Sequence, residues 1–233
     1  MISSPNNQEI LYINKLKQKK YRMQERKYLV EGMHLIEEAK KYGVLEKVYT
    51  TREDIEGTLV SQEVMKKISQ TDTPSYVLGL CKMQEERKVI GKILILDDVS
   101  DPTNLGTLLR SAKAFGFNNV VVSNESVDFY NDKVCRGSQG AIFKLNLIRT
   151  DLKSFILDLK EKGYHVFGTN VRKGISVKGI NHDNNIALVL GNETRGLKEE
   201  IAQICDQNIY IPLDDMESLN LSVAGSILMY ELN

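Results

Sequence analysis

From residue 92 onward the chain alternates short, almost wholly apolar runs with amphipathic segments. The runs at 93–96, 120–123, 165–169, 186–190 and 209–212 predict strands, because each is short and bounded by polar or turn-forming residues. Strands that are apolar on both faces and separated by helices indicate an α/β unit with a parallel sheet covered on both sides. In such sheets ligands bind beyond the carboxyl ends of the strands, so the residues just past these runs are the ones to inspect. Upstream, the pattern is that of a small mixed α/β unit. Leu35, Ile36, Ala39 and Tyr42 recur at helical spacing, with Gly43 placed to end the helix. A strand is predicted at 45–50. Ser61 can cap a helix carrying Val64, Met65 and Ile68, and another strand follows at 76–81. The polar stretch 84–88 has the composition of a linker. We therefore expect a first domain over 1–83, a linker over 84–91 and a second domain over 92–233.

Three segments follow predicted strand ends. The first, LDDVSDPTNLGTLLRSAKAFGF, places the Asp101-Pro102 turn and Asn104 at a helix start. Leu105, Leu108, Leu109, Ala112 and Phe115 form the buried stripe of that helix. Arg110 lies under two turns beyond Asn104, so both side chains are candidates to face the strand ends; alone, the pair reads equally as a capping asparagine and a surface arginine. The second segment, LGNETRGLKEE, has Gly191, Glu193 and Gly196 in a tight loop. Its spacing is not that of the GxGxxG dinucleotide fingerprint, which disfavours a Rossmann-type enzyme. In the third, IYIPLDDMESLNLSVAGSILMYELN, a helix opening at Ser218 crowds Ser218, Asn220 and Ser222 into its first turn. Capping needs only one of these polar groups.

Composition narrows the class. The 233 residues are 42% hydrophobic and 27% charged, as in ordinary globular proteins. The opening MISSPNNQEI lacks the apolar stretch of a signal peptide, and no apolar run approaches a bilayer span; a cytoplasmic protein without a membrane segment is expected. Cys81, Cys135 and Cys205 are an odd, widely spaced set, and His34, His165 and His182 show no ligand spacing, so no disulfide framework and no metal site are expected. Positive and negative side chains balance at 31 each, which removes any global electrostatic argument for a nucleic-acid partner. Local charge supplies one: KLKQKKYRMQERK at 15–27 concentrates cations around Tyr21. It reads either as a solvated helix face or as a phosphate-contacting segment through Lys17, Lys19, Lys20 and Arg22.

Together the three strand-end segments resemble the SpoU (TrmH) family of RNA ribose methyltransferases, within the SPOUT superfamily. The family's first motif stands here as Asp101, Pro102, Asn104, Gly106, Arg110 and Ala112; the second as GNETRGL; the third as Ile211-Pro212 followed by SLNLSVA. Order and spacing agree over 92–233. Upstream, Val30-Glu31-Gly32, Glu37-Glu38-Ala39 and Thr73-Pro74 resemble the substrate-binding domain that often precedes this catalytic unit, although Ser75-Tyr76 stands where many relatives have Gln-Gly. Thr194-Arg195 departs from the smaller residues frequent in the second motif and would add a cation near the RNA entrance. The loop CRGSQGA at 135–141 also resembles a family segment near the active site, with Arg136 and Ser138 as candidate phosphate contacts; it reads equally as a Gly-rich turn.

The resemblance implies a C-terminal domain threaded into a trefoil knot, with S-adenosylmethionine held by Thr169, Gly191, Ile211 and Leu219. It implies that Arg110 activates a ribose 2′-hydroxyl, positioned with Asn104, Glu193, Ser218 and Asn220. It implies a homodimer whose C-terminal helices pack across a two-fold axis, Arg110 or its neighbours completing the partner's site. The expected substrate is structured RNA, with 23S ribosomal RNA favoured by the first domain. Transfer RNA and a non-catalytic RNA-binding factor remain alternatives, and base methylation is disfavoured by the Asn104/Arg110 pair.

Overall fold

The computed structural model describes residues 1–170, 174–216 and 218–233. In chain order its elements begin with α1 (Gln8–Lys15), α2 (Lys19–Glu25), β1 (Lys27–Glu31), α3 (Met33–Lys41), β2 (Leu45–Thr50), β3 (Thr58–Leu59), α4 (Gln62–Ile68) and β4 (Val77–Lys82). There follow β5 (Ile93–Leu96), α5 (Pro102–Ala114), β6 (Asn119–Val122), α6 (Asp132–Gly137), β7 (Asn146–Arg149) and α7 (Leu152–Glu161). The chain continues through β8 (His165–Thr169), β9 (Ile175–Ser176), β10 (Ile186–Leu190), α8 (Glu199–Ile204), β11 (Gln207–Tyr210) and α9 (Leu221–Glu231). These form two compact units, one of residues 1–85 with 130–143, the other of 86–129 with 144–233.

The first unit is a four-stranded sheet in the order β1-β4-β2-β3, antiparallel except for β2 with β3. Alternation along the strands sends Leu29, Leu78 and Leu80 into a core with Ile10, Ile13 and Leu16 of the α1 segment and Val64, Met65 and Ile68 of α4. On the other face α3 lies close to the sheet. A Cβ on Gly79 would stand 3.2 Å from Ile36 Cγ1, so the missing side chain lets the helix approach. The caps follow the sequence: Ser61 Oγ accepts from Val64 N at 3.2 Å, and Gly43, at φ +66°, ends α3. The first unit also takes in α6, a segment the expected division placed in the second domain. This helix packs beside β1, Tyr28 and Tyr130 bring their rings to 4.5 Å, and Gly140 backs onto Glu38, so residues 130–143 join the first unit.

The basic segment divides by role. Arg22 is only 4% exposed, and its Nη1 donates to the carbonyls of Leu16 (3.0 Å) and Lys17 (2.7 Å), closing the end of α1. Lys17 donates to the carbonyl of Lys67, and burial holds its ammonium below the ordinary lysine value. Only Lys19 and Lys20 of the four candidate phosphate contacts are exposed. The buried arginine was legible in sequence only as one more positive charge.

The second unit is a seven-stranded sheet in the order β7-β6-β5-β10-β8-β11-β9, with every pairing parallel. Ile93, Ile95, Val121, Ala187 and Val189 face Leu152, Ile156 and Leu159 of α7 and Ile201 of α8. The opposite face carries α5 and α9, joined by a 2.7 Å hydrogen bond between the Ser111 and Ser226 hydroxyls. Gly225 of α9 sits against Leu108 and Leu190. Strands β5, β8 and β10 match their predicted bounds, whereas β7 is absent from the expectation because NLIR is too short and mixed to stand out. The last helix begins at Leu221 with Asn220 as its cap, not at Ser218. Among the described residues no helix is long and apolar enough to cross a membrane, and no three His, Cys, Asp or Glu side chains gather as metal ligands.

Arg22→Met is expected to lower the stability of the first unit by roughly 1–3 kcal/mol, since buried carbonyls lose a charged donor. Lys19→Gln and Lys20→Gln should stay within about 0.5 kcal/mol of the parent. Urea unfolding distinguishes the two cases, and equal midpoints for all three variants would remove the capping role.

Candidate active site

In an open parallel sheet the crevice lies where neighbouring strands send their connections opposite ways. Here that point is the β5/β10 pair. The connection after β5 leads to β6 on one side of the pair, and the connection after β10 leads to β11 on the other. The loops following these two strands therefore meet, and they hold the first and second strand-end segments.

Their junction is one carboxylate. Glu193 Oε2 accepts from Ser100 N (3.3 Å) and Ser100 Oγ (3.1 Å), and Oε1 accepts from Asp101 N (3.1 Å) and Asn104 Nδ2 (3.2 Å). The third segment joins through Asn104, whose Oδ1 accepts from Asn220 Nδ2 at 3.1 Å. Asn220 Oδ1 in turn accepts from Ser222 N (2.9 Å) and Ser222 Oγ (2.7 Å), capping α9. Glu193, Asn104 and Asn220 thus form a relay across all three segments. Asn104 is available for it because Asp101 caps α5, accepting from Thr103 N at 2.6 Å. Burial pushes the Glu193 carboxyl up, but hydrogen bonds from its own backbone, the Asn104 amide and the Asp101 and Ser100 N–H groups outweigh it. The net direction is below the ordinary glutamate value.

Behind the relay lies a clasp that sequence reasoning missed. Asp98, 7% exposed and at φ +55°, receives Ser123 Oγ on Oδ1 (2.7 Å), while its Oδ2 pairs with Lys198 Nζ (2.8 Å) and with the Arg195 guanidinium. Its carbonyl accepts from Asn192 Nδ2 at 2.8 Å, and Lys198 N donates to Asp97 at 3.0 Å. Burial pushes the Asp98 carboxyl up, the Lys198 and Ser123 hydrogen bonds more than offset it, and Lys198 is raised mainly by its hydrogen bond to Asp98. Arg195, expected as a cation at the RNA entrance, is neutralised by this contact. The available signal was the Asp97-Asp98 doublet at the end of a buried strand, where two charges need partners.

The cofactor candidates sit along one sheet edge. Strand β8 pairs with both β10 and β11, so Thr169, Gly191 and Ile211 end or follow adjacent strands. A Cβ on Gly191 would stand 2.1 Å from the backbone of Gly196 and Leu197, so only glycine allows the loop to fold back this closely. Ile211 and Leu219 are half-buried, and Thr169 Oγ1 donates to the Val189 carbonyl at 3.2 Å. Backbone groups at strand ends with half-buried aliphatic neighbours fit an adenosyl ligand recognised mainly through backbone and apolar contacts.

Other candidates stand apart. Arg110 is exposed, with no hydrogen bond or ion pair to the relay. Six residues advance an α-helix by about 240° beyond a full turn, which turns it away from Asn104. Ser218 is exposed. Ser138 is fully buried and donates to the Cys135 carbonyl (2.8 Å), so it is not a phosphate contact, and Arg136 pairs with Asp132 at 2.7 Å.

Residues 91–230 match the SpoU rRNA Methylase family, and residues 7–79 match the MRM3-like substrate binding domain. The chain belongs to the SpoU family. It is 35% identical to the 23S rRNA (guanosine(2553)-2′-O)-methyltransferase RlmP of Bacillus subtilis (strain 168), over 99% of this chain and 98% of that one. An AdoMet-bound rRNA methyltransferase from Sinorhizobium meliloti, 26% identical, has the same fold with a TM-score of 0.87, covering 99% of this chain and 95% of that one. A solved RNA 2′-O ribose methyltransferase, 28% identical, gives a TM-score of 0.82 over 99% and 96% of the two chains.

Because the folded Glu193 pKa is depressed, its contribution to stability is present above the unfolded value near 4.5 and is lost as pH falls through the folded value. The relay should therefore hold unchanged from pH 8 down to roughly 5. Glu193→Gln, which turns an amide NH₂ toward several N–H donors, should show a weaker acid-induced loss of stability than the parent. Equal acid-unfolding curves for the two proteins would show that the carboxylate is not held by these donors.

Proposed function

We propose that this chain is an S-adenosylmethionine-dependent methyltransferase acting on a ribose 2′-hydroxyl of 23S ribosomal RNA, working as a homodimer. The observation that carries this reading is the Glu193–Asn104–Asn220 relay, which gathers the three SpoU segments at the crevice of the sheet. The full-length likeness to a 23S rRNA 2′-O-methyltransferase supports the choice of substrate.

S-adenosylmethionine, when bound by Thr169, Gly191, Ile211 and Leu219, supplies the electrophilic methyl group. The protein's part is to orient the attacking oxygen and manage its proton. Glu193 and Asn220 hold Asn104 from two sides, which fixes the end of α5, and the exposed Ser218 hydroxyl is free to meet the ribose. Arg110 carries five donors and no acceptor, so it stabilises the developing alkoxide rather than removing the proton. An RNA phosphate beside it is the proton acceptor this reading favours. RNA is drawn in by exposed cations, Lys19 and Lys20 foremost.

A dimer accounts for what a single chain leaves idle. Arg110 reaches no partner in its own relay, and Val223 (48%) and Tyr230 (64%) of α9 are exposed, with Phe115 meeting the Tyr230 ring edge-on at 5.7 Å. An isologous contact through α5 and α9 would cover these side chains and carry Arg110 to a second protomer's site. The knot belongs to the same reading. The return of the chain from β11 to α9, which packs on α5, supports this part of the reading.

The product should resist alkaline cleavage at one phosphodiester while its base stays unmodified. Arg110→Ala should bind cofactor normally and lose about 10²- to 10⁴-fold in single-turnover rate. A methyl mapped to a base, or an Arg110→Ala rate near that of the parent, would overturn the assignment.

Light scattering should give a dimer at micromolar concentration, and Tyr230→Glu should yield a folded monomer without methyl transfer. An active monomer would refute the shared site.

A further inference from the structure

The segment 84–88 reads as a linker, yet within the second unit residues 87–92 are fastened to the sheet. Asn146 Oδ1 accepts from Arg87 N (2.8 Å), and its Nδ2 donates to the Arg87 carbonyl (2.9 Å) and to Asn119 Oδ1 (3.0 Å). Asn119 Nδ2 donates to the carbonyls of Ile90 (2.8 Å) and Lys92 (3.3 Å). Both asparagines are almost fully buried, at 3% and 4% exposure, and each is the first residue of its strand, β6 or β7. A buried amide pair that satisfies itself against one stretch of backbone fixes that stretch in place.

This anchoring builds an open pocket of about 320 Å³, whose walls include Arg87, Lys88, Lys113 and Lys144, with Asn118, Asn119 and Asn146 beside them. Among the described residues no carboxylate lines it. Arg87, Lys88 and Lys113 are exposed and form no ion pair among the described residues; Lys113 Nζ donates to the Asn118 amide oxygen at 2.7 Å. In a chain with equal numbers of positive and negative residues, Arg87, Lys88 and Lys113 around one concavity are a local concentration of exposed charge that no ion pair among the described residues offsets.

We propose that this pocket is a phosphate-binding site for the RNA backbone, at the amino ends of β6 and β7, on the sheet edge opposite the cofactor crevice. The inference rests on the RNA methyltransferase reading for its choice of polyanion, and the charge and anchoring stand without it. The strands between the two edges are four residues long, roughly 13 Å, so a folded RNA can engage both edges at once. The site contacts phosphates and carries no base readout; it orients the RNA while the crevice selects the ribose.

The test combines Arg87→Gln, Lys88→Gln and Lys113→Gln in the full chain, with Arg87→Lys and Lys88→Arg as the charge-conserving control. Binding of a 23S rRNA fragment is measured across a salt series, S-adenosylmethionine affinity by calorimetry, and folding by thermal melt. The neutralised variant should lose about 0.7 to 0.9 in log–log salt slope per contact removed, the control should keep the parent slope, and cofactor affinity should be unchanged. An unchanged slope in the folded neutral variant overturns the proposal. A second arm adds inorganic pyrophosphate and follows the Asn118 side-chain amide by NMR. A pyrophosphate shift together with an unchanged RNA slope assigns the pocket to a free anion and also overturns it. If the slope falls but no RNA is methylated, the phosphate site stands and the catalytic reading fails separately.

Discussion

One carboxylate organises the reactive end of this molecule. Strand ends in a parallel sheet leave N–H groups unsatisfied where loops turn away, and the Glu193 side chain collects those of Ser100 and Asp101 together with the Asn104 amide. A single residue on the loop after β10 thereby sets the start of α5, which lies across the sheet's switch point. Asn104, held from one side by Glu193, passes the constraint to Asn220 and so to the start of α9. Three segments distant in sequence become one rigid rim.

The clasp beneath the rim has a different physical character. Asp97 and Asp98 lie at the buried end of β5, where an unpaired charge would be costly, and Lys198 and Arg195 reach back across the loop to meet them. Their partners come from the same loop that carries Glu193. The loop is therefore held twice, by charge at its far end and by hydrogen bonds at its tip. The Gly191 backbone, packed against Gly196 and Leu197, closes it from inside.

Legibility in the sequence followed the kind of interaction. Fully buried strands such as Ile93–Leu96 and Ile186–Leu190 announced themselves, because burial on both faces leaves no polar residue in the run. Strands β1 and β7 did not, since KYLVE and NLIR mix charge with apolar residues. Motif residues identified the rim, but not how it is joined. That Asn104 bridges Glu193 and Asn220, that Arg22 and Ser138 are interior, and that Arg110 turns away from its neighbours all depend on tertiary geometry. Neither charge nor spacing reports whether a cation faces water or a protein partner, which is why 15–27 read as one basic surface although Lys17 and Arg22 meet carbonyls and Arg26 and Lys27 meet carboxylates.

The order of the strands has a consequence for how this molecule is made. Strand β10 sits between β5 and β8, so Ile93 finds its parallel partner Ala187 only after most of the chain has left the ribosome. Until β10 is made, the edge of β5 that it covers in the finished sheet has no partner in the chain, and an open apolar strand edge is the sort that templates association with other chains. Refolding of the intact protein from denaturant meets the same stage at once and in bulk, whereas synthesis from the amino terminus presents it one chain at a time. An edge left open for that long makes association a competitor of folding, and that competition grows with chain concentration.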